Sequence, residues 1–300
     1  MPSQKISKQK TNLINNKFED FFHSEERCVE YIKDKRWGGE YICPRCNSTE
    51  QPYYFEKRNV FECKSKSCRH QYSLRTGTLF HNSNKSLLLW FEFLWILMSQ
   101  GIVKRKYAVG ITTDQFLELG LSSEIVYSWL NKARNVMFNS KTDQLKGTVK
   151  LDIISVNAFG PKIILALEDR GKKIGRIQIQ FNEKSDDLEN FISKRLREEA
   201  KLIVKSDLHE KIKQYCNNVE LDKGNKHSLT TKKTTITDVR NLFSYWCWWG
   251  CSDKLSCWRN HGPKDRRNNH LDEFAYIFNL RHYSQWQRFE KFMDRACNTK

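Results

Sequence analysis

The chain reads as a multi-domain protein of the α/β class, and three observations carry that prediction. Two close cysteine pairs, Cys43/Cys46 and Cys63/Cys68, flank a short aromatic hairpin pattern. Helical apolar spacing then dominates residues 87–137. From Gly147 the texture changes to three strand-like runs in succession, followed by helix, strand and helix. The predicted division is an N-terminal arm and helix at 1–36, a cysteine-held ribbon at 37–80 and a helical region at 81–140. An α/β domain at 146–285 and a tail at 286–300 complete it.

The cysteine pairs are the firmest chemical signal. Cys43-Pro44-Arg45-Cys46 puts two thiolates on one backbone knuckle, and a second close pair supplies the other half of a tetrahedron. Four thiolates leave no open coordination position, so the expected ion is a structural Zn²⁺. The predicted ligands are Cys43, Cys46, Cys63 and Cys68, with His70 as an alternative to Cys68. Tyr53, Tyr54 and Phe55 on one side and Val60 and Phe61 on the other flank the turn-like Glu56-Lys57-Arg58-Asn59. The ligands therefore hang from a small ribbon.

Charge points to the partner. The 52 basic residues outnumber the 35 acidic ones, for a net charge of +17. The simplest partner for such a surface is a polyanion, with nucleic acid foremost. No apolar run reaches the ~18 residues of a membrane span. The longest, Ser86 to Met98, is interrupted by Glu92 and suits a buried helix. The Lys- and Asn-rich start has no apolar signal core, which predicts an intracellular protein. That compartment is the nucleus in a eukaryotic host and otherwise the cytoplasm or nucleoid. The ten cysteines then read as reduced thiols available to metal.

Along the chain, residues 1–16 read as a polar arm and Phe18 to Ile32 as a helix ended by Gly38-Gly39. Leu87 to Gln100 is apolar nearly all round, which predicts a buried helix, and Lys104-Arg105-Lys106 reads as a solvated loop. Thr112 to Met137 reads as two helices around Gly120, the second capped by Ser122. Ile125, Val126, Trp129, Leu130, Ala133 and Met137 form its inward stripe. Ser123, Tyr127, Ser128, Asn131, Lys132 and Arg134 are left for solvent or DNA. This is a helix-turn-helix pattern, although an ordinary helical hairpin shares it.

Residues 147–156, 161–170 and 175–181 are the three strand-like runs. A helix at 185–200 capped by Ser185 follows, then a strand at 200–207 ending on Asp207. A short helix from Leu208 to Cys216, a short strand around Val219 to Leu221 and a helix from Thr237 complete the order. That is the order of a ribonuclease H-like domain. There the first strand is central and the fourth lies beside it, so Asp152 and Asp207 are expected at one edge. Two such carboxylates suit Mg²⁺ or Mn²⁺, which in pairs can cleave and join phosphodiesters.

At this point the chain resembles the DDE transposases of the Merlin superfamily and their bacterial insertion-sequence relatives, from about residue 27 to about residue 282. The resemblance rests on the two cysteine pairs, the exit Ser73-Leu74-Arg75-Thr76-Gly77-Thr78-Leu79-Phe80, VKLDIISV at the first acid, IVKSD at the second and HLDEFAYIFNLRH near the C-terminus. It implies an enzyme that binds terminal inverted repeats of double-stranded DNA, self-associates on paired ends and uses a metal-binding acidic triad. Arg75 joins the expected DNA contacts. Asp152 and Asp207 match the first two acids. Arg240 stands where the family has its glutamate, and Asp238 is the remaining candidate, ~200° away around a helix. Ile153 and Ile277 also depart from the family's pattern. The alternative reading is a DNA-binding derivative that no longer cleaves, and a third is a protein-interaction module using the ribbon. Cys247, Cys251, Cys257 and His261 have metal-like identities, but the tryptophans around them favour a buried aromatic cluster.

Overall fold

The computed structural model describes residues 18–38, 41–55, 58, 60–103, 107–109, 113–139, 142–155, 162–170, 173–222, 239 and 264–298. The chain divides into two compact units and passes between them four times. One unit holds residues 1–99, 113–136 and 284–300, and the other holds 100–112 and 137–283. Among the described residues no helix is long and apolar enough to cross a membrane.

The first unit begins with α1 (Glu25–Trp37). The sequence predicted one helix from Phe18 to Ile32, but Ser24 restarts the chain. Its side chain accepts from the Arg27 N–H as an N-cap, with Glu25 and Glu26 in the first turn where the helix dipole favours acids. Gly38, at φ +56°, ends the helix in the left-handed region as expected. Three short strands follow, β1 (Tyr53–Phe55), β2 (Val60–Glu62) and β3 (Gln71–Ser73), as an antiparallel sheet in that order. Phe61 and Tyr72 face inward beneath Trp37.

The exit motif after β3 is a structural joint. Ser73 Oγ meets Thr76 Oγ1 at 3.0 Å, and Thr78 Oγ1 donates to the Arg75 carbonyl at 2.7 Å. Arg75 donates to the carbonyls of Ser83 and Lys85 at 2.7 and 2.6 Å and pairs with Glu25 at 3.6 Å. The expectation of a DNA contact at Arg75 is therefore corrected, because its guanidinium is spent on the fold. Glu25 also caps α2 (Leu87–Ser99), accepting from the Leu87 and Leu88 N–H groups at 2.8 and 2.9 Å. The helix α2 is buried almost throughout, as its unbroken apolar sequence predicts.

Packed with α2 are α3 (Thr113–Leu117) and α4 (Ser123–Met137), with Gly120 at φ +72° between them. Trp129 of α4 stacks on Trp90 at 3.5 Å. The residues expected as a tail instead form α8 (Gln285–Ala296), started by a Ser284/Gln287 capping box. Phe289, Phe292, Met293 and Ala296 are its buried stripe, and Phe289 meets Phe91 and Trp95 of α2.

The second unit contains the hairpin β4 (Gly101–Val103) and β5 (Tyr107–Val109). Its main sheet is built from β6 (Thr148–Ser155), β7 (Lys162–Arg170), β8 (Lys173–Phe181), β9 (Lys201–Val204) and β10 (Val219–Leu221). The order is β10-β9-β6-β7-β8; β6, β7 and β8 run antiparallel, while β6, β9 and β10 are parallel. Period-two alternation gives the sheet two apolar faces. Ile163, Leu165 and Leu167 join a cluster with Leu271, Phe274 and Phe278 of α7 (Lys264–Asn279). Ile164 and Ala166 join the other with Phe191 of α5 (Asp187–Arg195) and Ile212 of α6 (Ser206–Lys213). The predicted Ser185 cap is corrected: α5 starts one residue later, and Asp187 closes the turn by accepting from the Glu183 and Lys184 N–H groups.

The C-terminal signature helix α7 serves β8. Asn279 Oδ1 accepts from the Ile177 N–H at 2.8 Å and its amide donates to the Ile177 carbonyl at 3.0 Å. Asn268 Oδ1 accepts from the Phe181 N–H at 3.1 Å, and Arg281 donates to the Gly175 carbonyl at 3.1 Å. A side chain therefore does for this edge what a further strand does elsewhere. Gly175 is itself required, because a Cβ there would lie 1.7 Å from the Glu168 carbonyl oxygen. Gly175→Ala is expected to cost about 2–3 kcal/mol by forcing β7 and β8 apart, read as a lowered urea midpoint.

Candidate functional site

Two sites emerge, one in each unit. In the first, the four predicted cysteines converge. Their Sγ atoms all lie within 4.8 Å of one another. Cys43 and Cys68 are 3.8 Å apart, and Cys46 and Cys63 are 3.6 Å apart. A tetrahedral Zn²⁺ with Zn–S bonds of ~2.3 Å requires sulfurs ~3.8 Å apart. A disulfide requires ~2.0 Å, so the geometry fits a metal.

Both knuckles are shaped by a left-handed residue just after the second cysteine, Asn47 at φ +58° and Arg69 at φ +43°. These turns let Asn47 N–H return to the Cys43 carbonyl and Arg69 N–H to the Ser65 carbonyl. Burial raises the Cys43 thiol, but backbone N–H groups of Cys46 and Arg45 more than compensate and hold it at about 7. Burial and the neighbouring thiols push Cys63 up to about 12. Holding all four as thiolates would put four negative charges side by side, which a divalent ion would balance as it displaces their protons. His70 stacks on Tyr72 instead of joining the cluster, so Cys68 is the fourth donor.

Residues 23–71 match the family model described as a transposase zinc-ribbon domain. The N-terminal ribbon is of that kind. No curated protein and no solved structure matches the chain. The four-cysteine cluster lies inside the matched segment, with α1 ahead of it and the three strands around it.

The second site is the carboxyl edge of the parallel strands. Asp152 on β6 is only 6% exposed. It sits opposite Leu165 of β7, hence on the α7 face of the sheet. A buried carboxylate needs a partner, and Lys205 Nζ lies 2.6 Å from Asp152 Oδ2. Register explains the meeting. Thr148 pairs with Lys201 and Val219 with Leu202. β9 stops at Val204 and β10 at Leu221, so Lys205 and Asp222 each follow directly on a strand end, and the Asp222 N–H donates to the Val204 carbonyl at 2.8 Å. Hydrogen bonding and charge keep the Lys205 ammonium protonated above its ordinary range: the Asp152 hydrogen bond acts first, with Asp207 and Asp222 adding attraction.

Asp207 was expected at the end of the fourth strand. That strand stops at Val204, and Asp207 is exposed in the first turn of α6. The reason is local: an acid is favoured at a helix N-terminus, and the chain turns there. It still reaches the electrostatic field of Lys205. Asp222 and Lys205 were missed by sequence reasoning. The available signal was that each immediately follows a short apolar strand run. Asp238, Arg240 and the group Cys247, Cys251, Cys257 and His261 lie outside the described residues, as do residues 1–16 and Lys104 to Lys106. Val239 is described and is buried in the cluster that also holds Ile154, two residues from Asp152 on the same strand.

On α4 the expected surface divides. Ser123, Tyr127 and Ser128 are exposed, while Asn131 and Lys132 are half-buried. Lys132 donates to the His81 carbonyl at 3.2 Å. Arg134 is only 4% exposed, so its assignment to the solvent face is corrected. The apolar stripe of a strongly amphipathic helix is wider than the residues first assigned to it, and a long cationic side chain can lie along its border.

Proposed function

We propose that the protein is a transposase-type DNA-binding protein that engages double-stranded DNA at terminal inverted repeats and cleaves and joins strands at the Asp152 edge. The observation that carries this reading is the buried Asp152 carboxylate on β6, bonded to Lys205, with Asp207 and Asp222 near enough to act on the same ammonium, in a chain whose ribbon matches the transposase zinc-ribbon model. The sheet order, with a central first strand joined in parallel to the fourth, supports a ribonuclease H-like domain. The α3–Gly120–α4 arrangement supports a helix-turn-helix, with Ser123, Tyr127 and Ser128 as its outward contacts. Self-association would bring two DNA ends together.

The donors at the edge are hard carboxylate oxygens, which fit Mg²⁺ or Mn²⁺. Asp152 and Asp207 would hold such ions, with Asp222 or Asp238 as the third acid. Bound there, the ions would activate an attacking hydroxyl and stabilise a leaving oxygen. Lys205 is the resident competitor, since any cation must take Asp152 from its ammonium.

The test is cleavage of labelled terminal-repeat duplex by purified protein with Mg²⁺ or Mn²⁺. Asp152→Asn is expected to keep duplex binding within about twofold and to reduce nicking at least about a hundredfold. Nicking unchanged in that variant overturns the enzymatic assignment. Binding should weaken steeply with salt, because phosphate contacts release counterions. A second reading, a DNA-binding derivative without cleavage, is favoured by the Lys205–Asp152 pair and by Arg240 at the glutamate's place. Duplex binding with no nicking by wild-type protein would select it.

A further inference from the structure

The ribbon carries an outer face that the zinc site does not use. In the β1–β2–β3 register, Tyr54, Phe61 and Tyr72 align on one face, where Phe61 and Tyr72 are buried and Tyr54 is itself 46% exposed. Tyr53 and Phe55, at alternate positions of the edge strand β1, fall on the opposite face, 46% and 38% exposed. An exposed aromatic pair on an edge strand is costly and invites aggregation unless something covers it. Each ring is flanked by cations. Lys64 Nζ lies 5.5 Å and the Arg69 guanidinium 5.8 Å from the Tyr53 ring, and the Arg58 guanidinium lies 5.1 Å from Phe55. The acid beside Tyr53 is Glu62, which accepts from Arg69 at 3.1 Å and Gln71 at 2.7 Å, so its charge is already answered.

We infer that this outer face of the ribbon is a stacking platform for single-stranded nucleic acid. Residues two apart on a strand stand ~6.6–6.8 Å from each other. That separation gives two unpaired bases of an extended strand a ring each, while Arg58 and Lys64 follow the phosphates and Arg69 stays paired with Glu62. A duplex offers the same phosphates but no open base faces, so it uses the cations and not the rings. The chain's net charge of +17 complements a polyanion and disfavours a second copy of this chain as the occupant. The inference is independent of cleavage at Asp152, and of duplex binding by α4.

The test is fluorescence anisotropy with a labelled single-stranded 20-mer and the duplex of the same sequence, on full-length protein. Tyr53→Ala/Phe55→Ala is expected to weaken single-strand binding at least about tenfold, with duplex binding changed less than about twofold. Zinc content, measured in parallel, reports that the ribbon remains folded. Should the alanine pair lose zinc, Tyr53→Leu/Phe55→Leu keeps apolar bulk, removes the rings and carries the same expectation. Replacing Arg58 and Lys64 by Gln is expected to weaken both ligands and to flatten the single-strand salt slope by ~0.7 per charge removed. Single-strand binding held within twofold by the ring-less variants overturns the inference. So does an equal loss on single strand and duplex.

Discussion

Cys63→Ser is expected to lose the ribbon's zinc and, with it, the ribbon's fold. The three strands are three residues each, and their inward face offers little beyond Phe61 and Tyr72 beneath Trp37. A sheet of that size is marginal in water on its own. Structural Zn²⁺ contributes ~10–16 kcal/mol in small ribbons and fingers, far more than the aromatic packing. Elemental analysis should find zinc in the wild-type chain and at least one equivalent fewer in Cys63→Ser. Chelation should reproduce the effect, and limited proteolysis should then open the chain between residues 41 and 75. Retained zinc with an intact ribbon in the variant would falsify the four-cysteine assignment. Acid should release the metal, since protons compete for the thiolates. A count of two per wild-type chain would place a second ion at Cys247, Cys251, Cys257 and His261.

Arg195→Met is expected to destabilise the second unit by about 3–5 kcal/mol, the cost of stripping one partner from a buried ion pair. Arg195 and Asp272 are 5% and 8% exposed at their side chains and meet at 2.6 Å. The same guanidinium donates to Gln178 at 2.8 Å and Gln180 at 3.2 Å, and lies 4.1 Å from the Phe138 ring. It thus joins α5, β8 and α7, and its loss leaves three acceptors unsatisfied. Urea unfolding should show the lowered midpoint, with Asp272→Asn milder because the amide keeps an acceptor. Burial, opposed by Arg195, pushes the Asp272 carboxyl above its ordinary range. The folded state therefore binds that proton more readily than the unfolded chain. Without Arg195 the preference grows, so part of the deficit should be recovered as pH falls. A deficit independent of pH would place the loss in packing alone.

What was legible in the chain was what local physics encodes. The strand-like runs at 147–156, 161–170 and 175–181 fall on β6, β7 and β8, because strand side chains alternate between two apolar faces. The cysteine spacings marked the metal site because a knuckle is a local turn. Gly38 and Gly120 marked stops because both sit at positive φ. Residues whose roles depend on distant partners were misread. Arg75 and Arg134 looked like free cations, yet one is held by Ser83, Lys85 and Glu25 and the other is buried in α4. The stretch expected as a tail had a capping box and an apolar stripe that argued for helix α8.

The sequence by itself determined the two cysteine pairs of the ribbon and the order of β6 to β10 with α5 and α6 between them. Both follow from spacings of a few residues. Only the tertiary structure decided what Asp152 meets. Its partner Lys205 is the N-cap residue of α6, directly after β9, and where it falls depends on how β9 is registered on β6. A shift of one residue there would turn Lys205 to the opposite face and leave a buried carboxylate unpaired.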